Sequence, residues 1–359
     1  MTMPSGISIH EPIRGRLENN LAAHGTRISD IPSSANTPAS ANLSDQKPVS
    51  LDAGSEGIDH IVDSVVAELR VRRNPPREGN QLFRQASQLP SRKSLTAVVE
   101  GLCAALFPNR LSGREFSANG VDFFVGHTLQ SCLNDLIDQI QREFRYQTTE
   151  PHAAGDYRAE AVRLVTEFAR TLPEIRDLLE SDLQAAFDGD PAAGSVDVVL
   201  ACYPGMTAVI HHRLAHALYR LGAPVVARII SEISHSLTGI DIHPGASIQG
   251  SFFIDHGTGV VIGETAVIGE RVRLYQAVTL GARRFPTDEN GVLLKGGSRH
   301  PIVEDDVVIY AGATILGRIT IGRGSVIGGN VWLTRSVPPG SNVSQAKLSR
   351  ENFDGGSGI

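Results

Sequence analysis

The chain has 359 residues, 41% of them hydrophobic, with 33 Lys and Arg against 39 Asp and Glu and a net charge of -6. That length holds two domains with sizeable cores, and the mildly acidic balance excludes the strong basic field that nucleic acid or an anionic membrane surface would select. Cys103, Cys132 and Cys202 are scattered, odd in number and without CxxC spacing, and no apolar run approaches the roughly 18 residues that span a bilayer. The opening "MTMPSGISIHEPIRGR" has no apolar stretch of the kind a signal peptide needs. A soluble, cytoplasmic protein without disulfides, nucleic acid or membrane partners is expected.

Residues 1–55 include "SSANTPASANLSDQKPVSLDAGSEG", a run too polar to offset its chain entropy, so this segment reads as disordered. From 56 to 238 the period is helical. Apolar residues recur three and four apart in "DHIVDSVVAELRVRR", "SLTAVVEGLCAALF" and "DFFVGHTLQSCLNDLIDQIQREF". The pattern continues in "DYRAEAVRLVTEFARTL", "PEIRDLLESDLQAAF", "GMTAVIHHRLAHALYRL" and "PVVARIISEISHSL". Gly, Pro and Asp separate the segments, notably in "FDGDPAAGS".

After Gly239 an aliphatic residue stands at every sixth position. One run is Ile242, Ile248, Ile254 and Val260; a second is Ile262, Ile268, Leu274 and Leu280. A third is Val303, Ile309, Ile315, Ile321, Ile327 and Leu333. Small or β-branched residues follow four positions later at Ala246, Thr258, Ala266, Val278, Ala313 and Ser325. A period of six suits neither a helix nor an alternating strand. It predicts a parallel β-helix over 239–340, in which each hexad makes one side of a triangular prism and three make a coil. The fold class is therefore α+β, an all-helical domain followed by a β-helix.

Two breaks interrupt the period. Between Ile254 and Ile262 the spacing is eight, and "DHGTG" fills the gap. Between Leu280 and Val303 it is twenty-three, so residues 282–302 leave the prism as a loop carrying Arg284, Lys295, Arg299 and His300. Long loops inside a compact repeat are commonly functional.

The stretches "DIHPGASI", "IDHGTGVVIGETAVIGE", "VTLGA", "GGSRHPIVEDDVVIYAGATILG" and "VPPGS" resemble those of the serine O-acetyltransferases, hexapeptide-repeat acyltransferases of bacteria and plants. The repeat alone is shared by other acetyltransferases; "DIHP", "DHGTG" and "RHP" in that order are specific. The resemblance implies a left-handed β-helix and transfer of acetyl from acetyl-CoA to L-serine, giving O-acetyl-L-serine and CoA, the first step of cysteine synthesis from serine. It implies feedback inhibition by L-cysteine. An O-acetyltransferase for homoserine or a sugar hydroxyl is the alternative enzyme, and an idle scaffold the alternative of another class.

A serine hydroxyl needs a general base, and an imidazole with an unperturbed pKa of about 6.5 suits that task. By resemblance the base is His256 and its orienting carboxylate is Asp241, fifteen residues earlier and near the eighteen-residue coil that would stack the two. His243 reads as structural. The resemblance places Asp190 and Asp255 on the substrate ammonium and Arg299 and His300 on its carboxylate and hydroxyl side. Glu264 carries less weight, because "IGE" recurs at the surface position Glu270. Gly281, Ala282, Ala311 and Gly329 match positions that let an acetyl-CoA arm approach the backbone in a groove between subunits. The inserted "RRFPTDENGVLLK" departs from the family pattern at the rim of that groove. No metal set is expected.

An isolated prism exposes its groove-forming faces, so a homotrimer is expected, with the helical domain pairing two trimers. The ending "ENFDGGSGI" resembles tails that dock O-acetylserine sulfhydrylase through a terminal Ile, here Ile359.

Overall fold

The computed structural model describes residues 55–73, 89–117, 120–147, 156–284 and 287–345. The disorder expected over 1–55 and the docking tail ending at Ile359 lie outside these residues, apart from Ser55 and the start of the tail. Helix α1, Ser55–Arg73, belongs to a unit of its own that ends at Asn80.

In the second unit, α2 (Arg92–Leu106), α4 (Gly120–Gln147), α5 (Tyr157–Gly189), α7 (Pro204–Leu221) and α8 (Pro224–Thr238) carry the helical core; α3 (Pro108–Leu111) and α6 (Val196–Cys202) are short connectors. Each long helix buries one stripe, as Leu164, Phe168, Leu172, Ile175, Leu179 and Leu183 do on α5. The two stretches read from the sequence on either side of Pro173 are one helix. A proline removes a single i→i−4 bond, and the apolar stripe that continues past it holds the helix together. Ser91, Asp156 and Ser195 cap α2, α5 and α6 by accepting backbone N–H bonds. Gly239, left-handed at φ 69°, ends α8 and turns the chain into the repeat.

Fourteen short strands follow: β1 (Asp241–Ile242), β2 (Ser247–Ile248), β3 (Phe253–Ile254), β4 (Val261–Ile262), β5 (Val267–Ile268), β6 (Arg273–Leu274) and β7 (Thr279–Gly281) before the loop. After it come β8 (Ile302–Val303), β9 (Val308–Ile309), β10 (Thr314–Leu316), β11 (Thr320–Ile321), β12 (Val326–Ile327), β13 (Trp332–Leu333) and β14 (Asn342–Val343). They form three parallel sheets, ordered β1-β4-β7-β10-β13, β2-β5-β8-β11 and β3-β6-β9-β12-β14. This is the left-handed β-helix of hexapeptide repeats. All fourteen aliphatic positions are buried. The last coil reaches Val343, three residues beyond the expected end, because β14 pairs with β12.

The widened rung corrects one detail of the register. Ile242 pairs with Ile262, so the first coil has twenty residues instead of eighteen. Val260 is then the buried corner residue two places before Ile262, and Thr258, one of the six small or β-branched positions of the period, is exposed.

The helical part is bolted to the first coil by a buried ion pair. Arg213 on α7 donates to both oxygens of Asp182 on α5, at 2.8 and 2.9 Å, and to the carbonyls of Ile248 and Gln249. Asp182 also accepts from the Phe252 N–H at 2.8 Å. Burial pushes the Asp182 carboxyl up, while Arg213 opposes that shift. This junction sets the end of α5, and with it Asp190, against the β-helix.

Candidate active site

The three sheets meet at three columns of corners, and two of them carry the chemistry. One column joins the β3 sheet to the β1 sheet. Here residues 255–259, which hold the two extra residues, bulge outward: His256 is left-handed at φ 59°, between the buried Asp255 and the left-handed Gly257 and Gly259. A β-carbon on Gly257 would overlap Ile240 as well as meet that backbone strain. The bulge aims the imidazole outward, and its side chain is 71% exposed. A ring that must meet a substrate has to stand there; one sealed in the prism would not reach it.

Around His256 stand two carboxylates from different parts of the fold. Asp255 Oδ1 lies 3.8 Å from His256 Nε2. Asp255 Oδ2 accepts from Arg273 on β6 at 2.5 Å. Asp190 ends α5, where its Oδ2 accepts from the Tyr203 hydroxyl at 2.5 Å and its Oδ1 from the Ala192 N–H at 2.8 Å. Those two donors, then the Arg273 and His256 charges, hold the Asp190 carboxyl below its usual range. The same bond pushes the Tyr203 hydroxyl up to about 12, so it stays a donor. Further along this column lie Tyr275 and Tyr310, stacked at 4.9 Å, and then Ala311. Gly329 sits one coil beyond Ala311, with space for a β-carbon only 3.2 Å from the Ala311 carbonyl.

Asp241 does not meet His256 within the chain. The twenty-residue coil stacks Asp241 on Val261, five positions past the imidazole. Its carboxylate pairs with Arg228 at 3.9 Å and gathers with Glu232 and His235 within 4.8 Å. That trio is the metal-capable group found among the described residues, and the Arg228 guanidinium beside it already supplies positive charge. The carboxylate beside the imidazole is Asp255.

The second column joins the β1 sheet to the β2 sheet and holds the end of the long loop. Thr265 Oγ1 accepts from the Arg299 and His300 N–H groups at 2.9 and 3.1 Å, which pins the loop where it re-enters the prism. His300 is buried, and its ring lies so close over Gly263 that a β-carbon there would overlap it. The Thr265 N–H donates to His300 Nδ1 at 3.0 Å. Burial, then Arg299, lower the His300 pKa to about 4. A neutral ring with Nδ1 accepting carries its proton on Nε2, so His300 presents a donor and not a base.

Arg299 Nη2 donates to Glu264 at 2.6 Å, and Glu264 also accepts from Tyr219 at 3.1 Å. Burial raises the Glu264 carboxyl, but these two donors together with the nearby His243 and Arg299 outweigh it and the net shift is downward. His243, read as structural, stands edge-on to Tyr219, and burial lowers its pKa. Gly281 and Ala282 lie on this column too, at the exit of β7. Of the loop itself, residues 287–293 fold as a hairpin closed by a Thr287–Leu293 bridge and by Asp288 accepting from Asn290 and Val292.

The expected site is thus divided. His256, Asp255, Asp190, Ala311 and Gly329 share one column; Arg299, His300, Gly281 and Ala282 share another. One side of the prism separates them, roughly 15 Å or more of extended chain. Among the described residues no hydrogen bond or ion pair joins the two groups. Arg273 and Tyr203 had no signal in the sequence, because neither lies in a repeat break. Glu264 had one, its place between "DHGTG" and "RHP" in the second column's coil, but a single chain gave no means to separate it from Glu270.

Residues 300–335 match the family model described as bacterial transferase hexapeptide (six repeats). Prism, widened rung and exposed imidazole therefore define a hexapeptide-repeat transferase. A serine acetyltransferase of Synechococcus elongatus, designated plasmid, is 57% identical over 302 residues, spanning 83% of this chain and 95% of the relative. The serine acetyltransferase of Mycobacterium tuberculosis is 49% identical over 165 residues, 46% of this chain and 68% of its own. The crystal structure of Entamoeba histolytica serine acetyltransferase 1 in complex with L-cysteine aligns with a TM-score of 0.60 at 34% identity, over 81% of this chain and all of that one. The chain belongs to the serine acetyltransferase family.

Proposed function

We propose that the protein transfers acetyl from acetyl-CoA to the hydroxyl of L-serine, with His256 as general base. The serine oxygen attacks the thioester carbonyl as His256 takes its proton. The C–S bond then breaks, and the proton passes from the imidazolium to the departing CoA thiolate, so His256 ends neutral. Asp190 holds the serine ammonium, and Asp255 stands by the imidazole. Arg299 and the His300 Nε2–H meet the serine carboxylate and the reacting oxygen. The observation that carries this reading is the exposed His256 on a rung widened by two residues, flanked by carboxylates from α5 and the β-helix.

Serine is far too small to bridge the two columns of one chain. A closed ring of three chains with head-to-tail interfaces brings the His256 column of one copy to the Arg299 column of the next. Acetyl-CoA then lies along the shared groove, with Ala311 and Gly329 on one wall and Gly281 and Ala282 on the other. L-cysteine, bound in the Entamoeba relative, fits the same zwitterion site as an inhibitor. Among the described residues no helix is long and apolar enough to cross a membrane, and a cytoplasmic enzyme is the matching reading. Docking of O-acetylserine sulfhydrylase through Ile359 belongs to the same reading, and unchanged sulfhydrylase binding after deletion of Ile359 would remove it.

The test is CoA release from acetyl-CoA with serine, homoserine and a galactoside, for wild type and His256→Ala. Serine should be preferred, and the variant should lose about 10²–10⁴-fold in kcat. Equal turnover by His256→Ala ends the base assignment, and preference for another acceptor ends the substrate assignment.

A further inference from the structure

We propose that Arg273 is a positioning residue for this reaction, holding the Asp255 carboxylate and the end of α5 that carries Asp190 at one fixed spacing around His256. The inference rests on the function proposed above. Arg273 lies on β6, one coil beyond β3, and its guanidinium fills the gap between the prism and α5. Nη2 donates to Asp255 at 2.5 Å, and Nη1 donates to the Gly189 carbonyl at 2.6 Å. The guanidinium carbon stands 4.9 Å from the Phe253 ring centre and 4.7 Å from that of Tyr275. Its Nε is buried without a partner. A planar fork stacked on two rings and bonded at both tips has little freedom to turn.

Gly189 is part of the device. A β-carbon there would stand 3.1 and 3.3 Å from Phe253 ring atoms and 3.6 Å from Arg273 Nη1, so any larger residue would require the Phe253 ring to give by a few tenths of an ångström. The next residue is Asp190. One guanidinium therefore locates both acids, which come from parts of the chain 65 residues apart.

The arrangement also divides labour between the acids. Asp255 spends Oδ2 on Arg273 and turns Oδ1 toward His256. With its charge matched by Arg273, Asp255 suits orientation of the imidazole, and the substrate ammonium falls to Asp190. The charged groups beside His256 are Asp255 on its own rung and Asp190 at the end of α5; Tyr203 at the start of α7, and Arg273 and Tyr275 at β6, act on those two acids.

The experiment compares wild type, Arg273→Gln and Arg273→Lys as full chains, varying serine, acetyl-CoA and pH, with a melting temperature for each. For Arg273→Gln the serine KM should rise about tenfold with the acetyl-CoA KM within about twofold, since the loss falls on zwitterion binding. Removing the cation leaves Asp255 unbalanced beside His256 and favours the imidazolium. The acidic limb of kcat/KM should therefore move to higher pH by about half a unit or more. Arg273→Lys keeps the charge, so the limb should stay near wild type. Its single ammonium cannot reproduce the fork, so the serine KM should stay raised. An unshifted limb and an unchanged serine KM in Arg273→Gln, with activity falling only as folded protein is lost, would make Arg273 a purely structural residue. If Arg273→Gln does not fold, Arg273→Lys decides: a wild-type serine KM overturns the proposal, and a raised one with an unmoved limb supports it. Absence of serine-dependent CoA release in wild type would instead strike the functional reading on which the proposal rests.

Discussion

Mixing two inactive variants tests how the divided site is completed. His256→Ala removes the base from one column, and Arg299→Ala removes the guanidinium from the other. Neither change touches a core residue: His256 is exposed, and Arg299 is half-buried on a pinned loop end. If each site pairs one chain's His256 column with the next chain's Arg299 column, a mixed trimer regains intact sites. At equal amounts, a site needs an Arg299→Ala chain on its His256 side and a His256→Ala chain on its Arg299 side. Random assembly in a head-to-tail ring then leaves about one quarter of all sites with both groups intact. The two variants are unfolded together, refolded together, and assayed for CoA release at serine below its KM, with each variant refolded alone as control. Activity near a quarter of refolded wild type is expected. Tagged pull-down confirms that mixed assemblies formed. Mixed assemblies no more active than the separate variants would refute the reasoning, because the site would then lie within one chain.

Two further outcomes follow from named contacts. Arg213→Ala leaves Asp182 buried without its counter-charge and strips donors from the Ile248 and Gln249 carbonyls. Breaking such a pair costs about 3–5 kcal/mol, or about 10 °C in melting temperature for a unit of this size. A loss under about 3 °C in a thermal melt would show that the junction is not held there. In acid, the folded His300 resists protonation down to about pH 4, and His211, His212, His216 and His243 are shifted the same way by burial. Unfolded histidines bind protons from about pH 6.5 downward, so stability is full above that pH. For His300 it is lost progressively between about 6.5 and 4. Melting temperatures from pH 8 to 4 should fall through this window and fall less in His300→Asn; a flat profile would contradict the assignment.

The repeat was legible residue by residue. Each hexad aliphatic faces the axis of its own coil, so the burial of Ile242, Ile268 or Ile327 depends on local period alone, and the structure buries all of them. The two breaks were legible for the same reason: a bulge at 255–259 and an excursion after Gly281 cannot keep a period of six. What faces His256 was not. Two inserted residues lengthen the first coil to twenty, so Asp241 stacks on Val261 and the imidazole is left beside Asp255. Arg273 reaches the Gly189 carbonyl, and Tyr203 reaches Asp190 beside the prism, where Asp182 and Arg213 seat α5 and α7 against the first coil. Sequence spacing measures distance along the chain, and that determines which residues share a rung's inward face. Which side chains meet across coils, and which of the three edges carries Arg299, depends on coil length and on a junction between distant segments, and only the folded chain decides it.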